Sequence, residues 1–231
     1  MELKAKIVGI IGGMGPLATI DLYSKIIKHT NAKNDQENLH VVIDSYAQIP
    51  DRTKYLKGEG ENPLPYLLES ANNLKKGFNI DVYCMPCNTA HYFINELRKN
   101  IDKPFISIVE SAFNEIKRYH FTKLGILATD GTLLGRVYHD FFEKNGVKIE
   151  NFDETTQSLL MKAIYDVKAN SINSGIETFN KALSNIVKNK FDLLIAACTE
   201  IPILIPYKQE HIQIIDATDC LAKNVVKFCR E

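Results

Sequence analysis

No apolar run in this 231-residue chain is long enough to span a bilayer. The longest run to roughly five to eight residues, such as Ile7 to Ile11, against about 20 for a membrane helix. Charge of one sign is equally lacking in excess. Lys+Arg and Asp+Glu both number 28, with no basic block or stripe, so nucleic acid and acidic membranes would find no electrostatic footprint. The opening "MELKAK" runs directly into a strand-like segment and holds no apolar core of a signal peptide. A cytoplasmic enzyme or binding protein is the expectation. A disulfide framework is not indicated either, because the five cysteines are odd in number and scattered. In a reducing cytosol they would be free thiols, and most free thiols are buried and inert. What is present is the balance of an ordinary globular protein, 45% apolar and 24% charged. The length suffices for one large domain or two small ones with proper cores.

Apolar runs with β-branched residues alternate with helical patterns along most of the chain. A first series comprises residues 6–11, 40–44, 80–84 and 105–109. A second comprises 123–128, 146–150 ("GVKIE"), 191–197 and 212–216. Amphipathic stretches lie between them, for example 63–76, 133–144 and 174–189. Such alternation predicts parallel α/β sheets with helices on both faces. The two series also echo each other in order: "KIVGIIGGMGPLA" with "KLGILATDGTLLG", "DVYCMPCNTA" with "DLLIAACTEI", and "FISIVESAFNEIKRY" with "IQIIDATDCLAKNVVKF". The expected fold is therefore two similar doubly wound α/β domains, each with a four-stranded parallel sheet, related by a pseudo-twofold axis. Residues 1–112 would form the first and 113–216 the second, with a terminal helix over 217–231 packing back onto the first. Parallel sheets place ligand loops at the carboxyl ends of their strands. Cys87 and Cys198 both follow such an end, so two facing halves could aim two thiols at one cleft.

A cysteine between a strand and a helix meets the free N–H groups of the helix start, which favour negative charge and lower a thiol pKa. Asn88 and Thr89 supply hydrogen-bonding groups beside Cys87, and Thr199 and Glu200 do so beside Cys198. For either cysteine alone, a buried structural thiol is the competing reading; equivalent placement of the two in a repeat weighs against it. Two thiols flanking one small molecule suit proton removal from a carbon next to a carboxylate. One thiolate takes the proton and the other thiol returns one to the opposite face, while fixed donors in a dry cleft stabilise the carbanion. His91, four residues after Cys87, could activate that thiol from one helical turn on, or could simply be a packed or exposed helix histidine.

The strings "IGGMGPLAT", "QIPDRT", "MPCNTAH" and "CTEIP" resemble the aspartate/glutamate racemase family, and the similarity runs from Ile7 to about Asp216. The resemblance implies two similar α/β domains with the active site between them, no pyridoxal phosphate, no metal and commonly a homodimer. The family's two catalytic cysteines fall on Cys87 and Cys198. Arg52 matches its side-chain carboxylate binder, whose planar fork suits a bidentate grip, and Lys168 resembles a second cation in that role. Asn88, Thr89, Thr129 and Thr199 fall where the α-carboxylate and amino group would be held, and Met14 would line the cleft through its backbone. Glu200 would assist proton movement or bind the substrate ammonium, unless it is merely a carboxylate favoured in a first helical turn. The implied activity is racemisation of an acidic amino acid, aspartate ahead of glutamate.

Other readings compete. Gly13-x-Gly15-x-x-Ala18 after a strand, with Asp44 ending the next, is a passable dinucleotide fingerprint, or else a tight turn with Pro16 at the first helical position. A nicotinamide oxidoreductase would leave the paired Cys-Thr sites unexplained. Cys84-x-x-Cys87 could be a metal or redox pair, but a structural zinc usually needs four ligands and no second such pair exists; a buried, inert Cys84 is the expectation. A two-lobed carboxylate-binding protein would share the fold without needing two thiols.

Overall fold

The computed structural model describes residues 6–231. Strand β1 (Ile7–Gly12) leads into helix α1 (Pro16–Thr30), followed by β2 (His40–Ser45), α2 (Arg52–Leu56), α3 (Leu64–Gly77), β3 (Val82–Cys84), a 3₁₀ turn (Thr89–Phe93), α4 (Ile94–Asn100), β4 (Phe105–Ile106) and α5 (Ile108–Ile116). The second half runs β5 (Leu124–Ala128), α6 (Asp130–Leu134), α7 (His139–Lys144), α8 (Glu154–Lys168), α9 (Ile172–Lys188), β6 (Leu193–Ala197), α10 (Ile201–Leu204), β7 (Gln213–Asp216) and α11 (Ala217–Arg230).

The first sheet has the order β2-β1-β3-β4, parallel at each pairing. The order reverses between β1 and β3, and at such a crossover the strand ends splay to leave a crevice. In the second sheet, β5-β6-β7, both pairings are parallel. Strands β3, β5 and β6 are unbroken apolar runs because helices cover both faces: every residue of the three is buried. In the edge strand β2 no residue is fully buried.

The second sheet has three strands where four were expected. The segment 146–150 lies along the edge of β5 and gives one ladder bond, Glu150 N–H to the Leu124 carbonyl at 2.9 Å. Beyond it the chain leaves the sheet: Asn151 is bound by the His139 ring at 3.0 Å, the Phe152 ring stacks edge-on against Phe191, and Asp153 caps α8. The stretch 133–144 is likewise not one helix. Arg136 takes a left-handed conformation (φ 49°) that separates α6 from α7. Strand β4 stops at Ile106 because the Ser107 side chain accepts from Val109 and Glu110 N–H and starts α5.

Three apolar clusters hold these layers. One, with Leu67, Leu74 and Leu97, lies between the first sheet and α3 and α4; another, with Leu160, Phe179 and Leu183, lies between the second sheet and α8 and α9. The third is shared: Val8 and Val82 from the first sheet and Ile126 and Ile195 from the second meet the same helices α1, α5 and α11. Helix α11 packs against α1 and α5 and is tied to α1 by Lys25–Asp216 and His29–Asp219 contacts, each 2.6 Å. Among the described residues no helix is long and apolar enough to cross a membrane.

The turn after β1 is held by Thr19, whose hydroxyl accepts from Gly13 N–H at 2.9 Å and donates to the Gly15 carbonyl. Gly13 has φ 89°, and a Cβ there would fall 2.4 Å from the Tyr46 carbonyl carbon. Both the left-handed backbone and the clash oppose any side chain. Gly13→Ala is therefore expected to destabilise the protein by about 2 kcal/mol or more, read as a lowered urea midpoint; an unchanged midpoint would contradict this account of the turn.

Candidate active site

Cys87 lies three residues beyond the end of β3 and Cys198 immediately beyond β6. Each strand sits beside the first strand of its half, β1 or β5, so each thiol lies at the carboxyl end of its sheet, and Cys87 does so at the crossover crevice between β1 and β3. The two thiols line one small cavity, with about 20 Å³ open to the centre of a water-sized sphere. Its wall also contains Met14, Arg52, Asn88, Thr89, Thr129, Lys168, Thr199 and Glu200. All ten residues singled out from the sequence are thus brought together. The helical elements that follow the thiols are short, the 3₁₀ turn of five residues and α10 of four. Their contribution is local N–H groups rather than the dipole of a long helix.

The two halves meet over this cavity. Gly131 of α6 lies so close to α2 that a Cβ would come within 2.8 Å of the Thr53 Cα. Lys57, just past α2, pairs with Asp130 at 2.8 Å, and Gln157 donates to the same carboxylate at 3.0 Å. Inside, the hydroxyls of Thr89, Thr129 and Thr132 form a triangle with sides of 2.9 to 3.1 Å. Thr132 was not among the expected site residues, although its spacing from Thr129 is that of an N-cap and its donor partner: its N–H donates to the Thr129 hydroxyl. A second unforeseen residue is Tyr138, whose hydroxyl donates to Asn88 Oδ1 at 2.5 Å.

The charges of the cavity are unbalanced. Arg52 spends Nη1 on the carbonyls of Ile49 and Pro50, at 3.2 and 3.0 Å, while its buried Nε has no partner among the described residues. Lys168, the last residue of α8, is exposed overall and also lines the cavity. Desolvation pulls its pKa down; the fields of Glu200 and Cys198, with Cys87, outweigh that pull and Arg52, and hold it above the ordinary lysine value. Among the described residues neither cation has a carboxylate within salt-bridge distance. Asp51 also reaches the wall, but its side chain caps α2 by accepting from Lys54 N–H.

Glu200 is buried, and its side chain does not cap α10. It turns back instead: Oε2 accepts from the Cys198 thiol at 3.0 Å and from the Thr199 hydroxyl at 3.4 Å. Burial, and next the Glu200 charge, push the Cys198 thiol well above its ordinary pKa. Cys198 is thus held as a proton-carrying acid with a base at its sulfur.

His91 and Cys84 have structural settings. The His91 ring accepts from Ile108 N–H at Nε2 (3.1 Å), so Nδ1 carries the proton and donates to the Cys87 carbonyl at 2.8 Å. It clamps the backbone of the Cys87 loop to α5 and makes no bond to the thiol. Cys84 is fully buried in β3 between Ile10 and Ile106, and desolvation raises its pKa; Cys84 and Cys87 therefore face different surroundings. Among the described residues no group of three or more His, Cys, Asp or Glu stands close enough to hold a metal ion.

A family model described as Asp/Glu/Hydantoin racemase matches residues 11–225. The chain belongs to this racemase family. Relatives agree along its length. A broad-specificity amino-acid racemase of Bacillus subtilis is 28% identical over 229 residues, covering 95% of this chain and 96% of that protein. The structure of an aspartate racemase from Picrophilus torridus superposes with a TM-score of 0.86 at 30% identity, covering 97% of this chain and 94% of that one. A glutamate racemase from Bacillus anthracis shares the fold at 19% identity and a TM-score of 0.73, with 98% and 82% covered.

Burial pushes the His91 pKa down from an ordinary 6.5 to about 4, so the folded state keeps this ring neutral. The stability this confers is complete above pH 6.5 and is lost as the pH falls from there towards 4, on the order of 3 kcal/mol in all. Urea midpoints between pH 7 and 4 should fall more steeply for the wild type than for His91→Gln; parallel slopes would contradict the assignment.

Proposed function

We propose that this protein is an amino-acid racemase that interconverts the L and D forms of an acidic amino acid, aspartate before glutamate. The observation that carries the proposal is the convergence of two thiols and two unpaired cations on one enclosed cavity. The substrate class follows from charge. An amino dicarboxylate carries two carboxylates and one ammonium, and Arg52, Lys168 and Glu200 supply the complementary set. Arg52 and Lys168 hold the side-chain carboxylate, while Asn88, Thr89, Thr129 and Thr199 surround the α-carboxylate and amino group. Cofactor independence, a homodimer and a cytoplasmic setting belong to the same proposal.

The chemistry is proton transfer at Cα by two bases. With Cys198 held protonated against Glu200, Cys87 as thiolate removes the α-proton on one face and Cys198 delivers its proton to the other. The Cys198 thiolate left behind sits beside the Lys168 ammonium, whose field favours the charged sulfur. In the reverse direction Glu200 is the group placed to relieve Cys198 of its proton. Each positioned acid or base contributes about 10²–10⁴-fold, and donors fixed in a closed site stabilise the carbanion without reorganising.

The small cavity favours the shorter dicarboxylate, as does the likeness to the Picrophilus torridus aspartate racemase. A second reading, broad specificity, draws on the Bacillus subtilis relative. Chiral chromatography over a panel of L- and D-amino acids separates the two: aspartate should be the fastest, and neutral amino acids turned over at comparable rates would favour broad specificity. Cys87→Ala and Cys198→Ala should each lower racemisation by at least about 10³-fold, with activity unaffected by chelators or carbonyl reagents. Substantial interconversion by either variant would remove the two-base scheme.

A further inference from the structure

Asn88 lines the cavity beside Cys87 and is only 3% exposed, yet its amide nitrogen Nδ2 is buried with no partner among the described residues. A side-chain amide can present either its oxygen or its nitrogen to a ligand, and the two have opposite preferences for an anion. Tyr138, in the turn between α6 and α7, is completely buried and packs at a tilt against Phe142. Its hydroxyl proton has one protein acceptor among the described residues, Asn88 Oδ1 at 2.5 Å. If the amide rotated, that proton would lose its acceptor in a dry interior, which is costly.

We propose that Tyr138 is a positioning residue: its hydroxyl fixes the Asn88 amide so that Nδ2 faces the cleft and donates to a carboxylate of the substrate. The inference rests on the racemase reading above for the identity of the ligand, an amino dicarboxylate. It adds a specific link between the halves, because Tyr138 belongs to the second and Asn88 to the first. A bond made equally in the ground and transition states changes KM rather than kcat. A residue that acts only through another loses its effect when that other is removed.

The test is a double-mutant cycle on Tyr138→Phe and Asn88→Ala, read by racemisation of aspartate and by calorimetric titration with L-aspartate. Tyr138→Phe should raise KM and Kd about tenfold, change kcat by less than about twofold, and add nothing in the Asn88→Ala background. An unchanged KM and Kd, or losses that multiply in the double variant, would overturn the inference while leaving the racemase reading intact. If the wild type binds aspartate without racemising it and the cycle still appears in Kd, the positioning role stands and the racemase reading falls. A wild type that neither binds nor racemises aspartate overturns both. Asn88→Asp is a second variant: it keeps an acceptor for Tyr138 and replaces only the cleft-facing donor. It should fold with a lowered melting point, since a carboxylate replaces a neutral amide in a buried site, and lose aspartate binding; retained binding would overturn the proposal.

Discussion

Three buried hydroxyls, Thr89 from the first half and Thr129 and Thr132 from the second, hydrogen-bond to one another where the halves meet, and the geometry of the site depends on that junction. Each hydroxyl has one proton and accepts readily, so a triangle of three can satisfy every donor without water. The junction keeps the thiol loops of both sheets on a single cavity. Gly131, without a side chain, lets α6 lie against α2, and that contact brings Arg52 to the same wall. Neither half alone would complete the cavity, because Cys87 and Arg52 come from one and Cys198, Lys168 and Glu200 from the other.

The resulting cleft is asymmetric despite the repeat that produced it. Cys198 has a carboxylate at its sulfur, whereas the equivalent position after Cys87 is Thr89, whose hydroxyl belongs to the junction. His91 holds the Cys87 loop by its carbonyl. One thiol is therefore kept as an acid and the other is anchored through its backbone. The proposed two-base scheme needs one acid and one base at any moment, a difference that the divergence of the two halves would supply.

Much of this was legible in the sequence because it follows from periodicity and duplication. The buried strands show as unbroken apolar runs, and the echo of "CNTA" in "CTEI" located both thiols at strand ends. Arg52 and Lys168 were accessible only through the family strings that contain or resemble them. What failed was governed by tertiary contacts. "GVKIE" has the composition of a strand, but Asn151 and Phe152 draw the chain away after one ladder bond. The stretch 133–144 has helical spacing, but Arg136 breaks it. Tyr138 reads as one more core aromatic, and nothing local reveals that its hydroxyl meets an amide 50 residues earlier. The orientation of His91, towards a carbonyl rather than a thiol, was open for the same reason.

The central claim is that two different groups exchange protons with the two faces of one carbon, and isotope placement tests it directly. L-Aspartate is incubated with the protein in heavy water and sampled at low conversion. The account predicts α-deuterium in nearly all of the D-aspartate formed and almost none in the remaining L-aspartate, because the base that removes the proton is not the acid that delivers the deuteron. Equal labelling of both enantiomers from the earliest times would mean that one group serves both faces, and would contradict the claim.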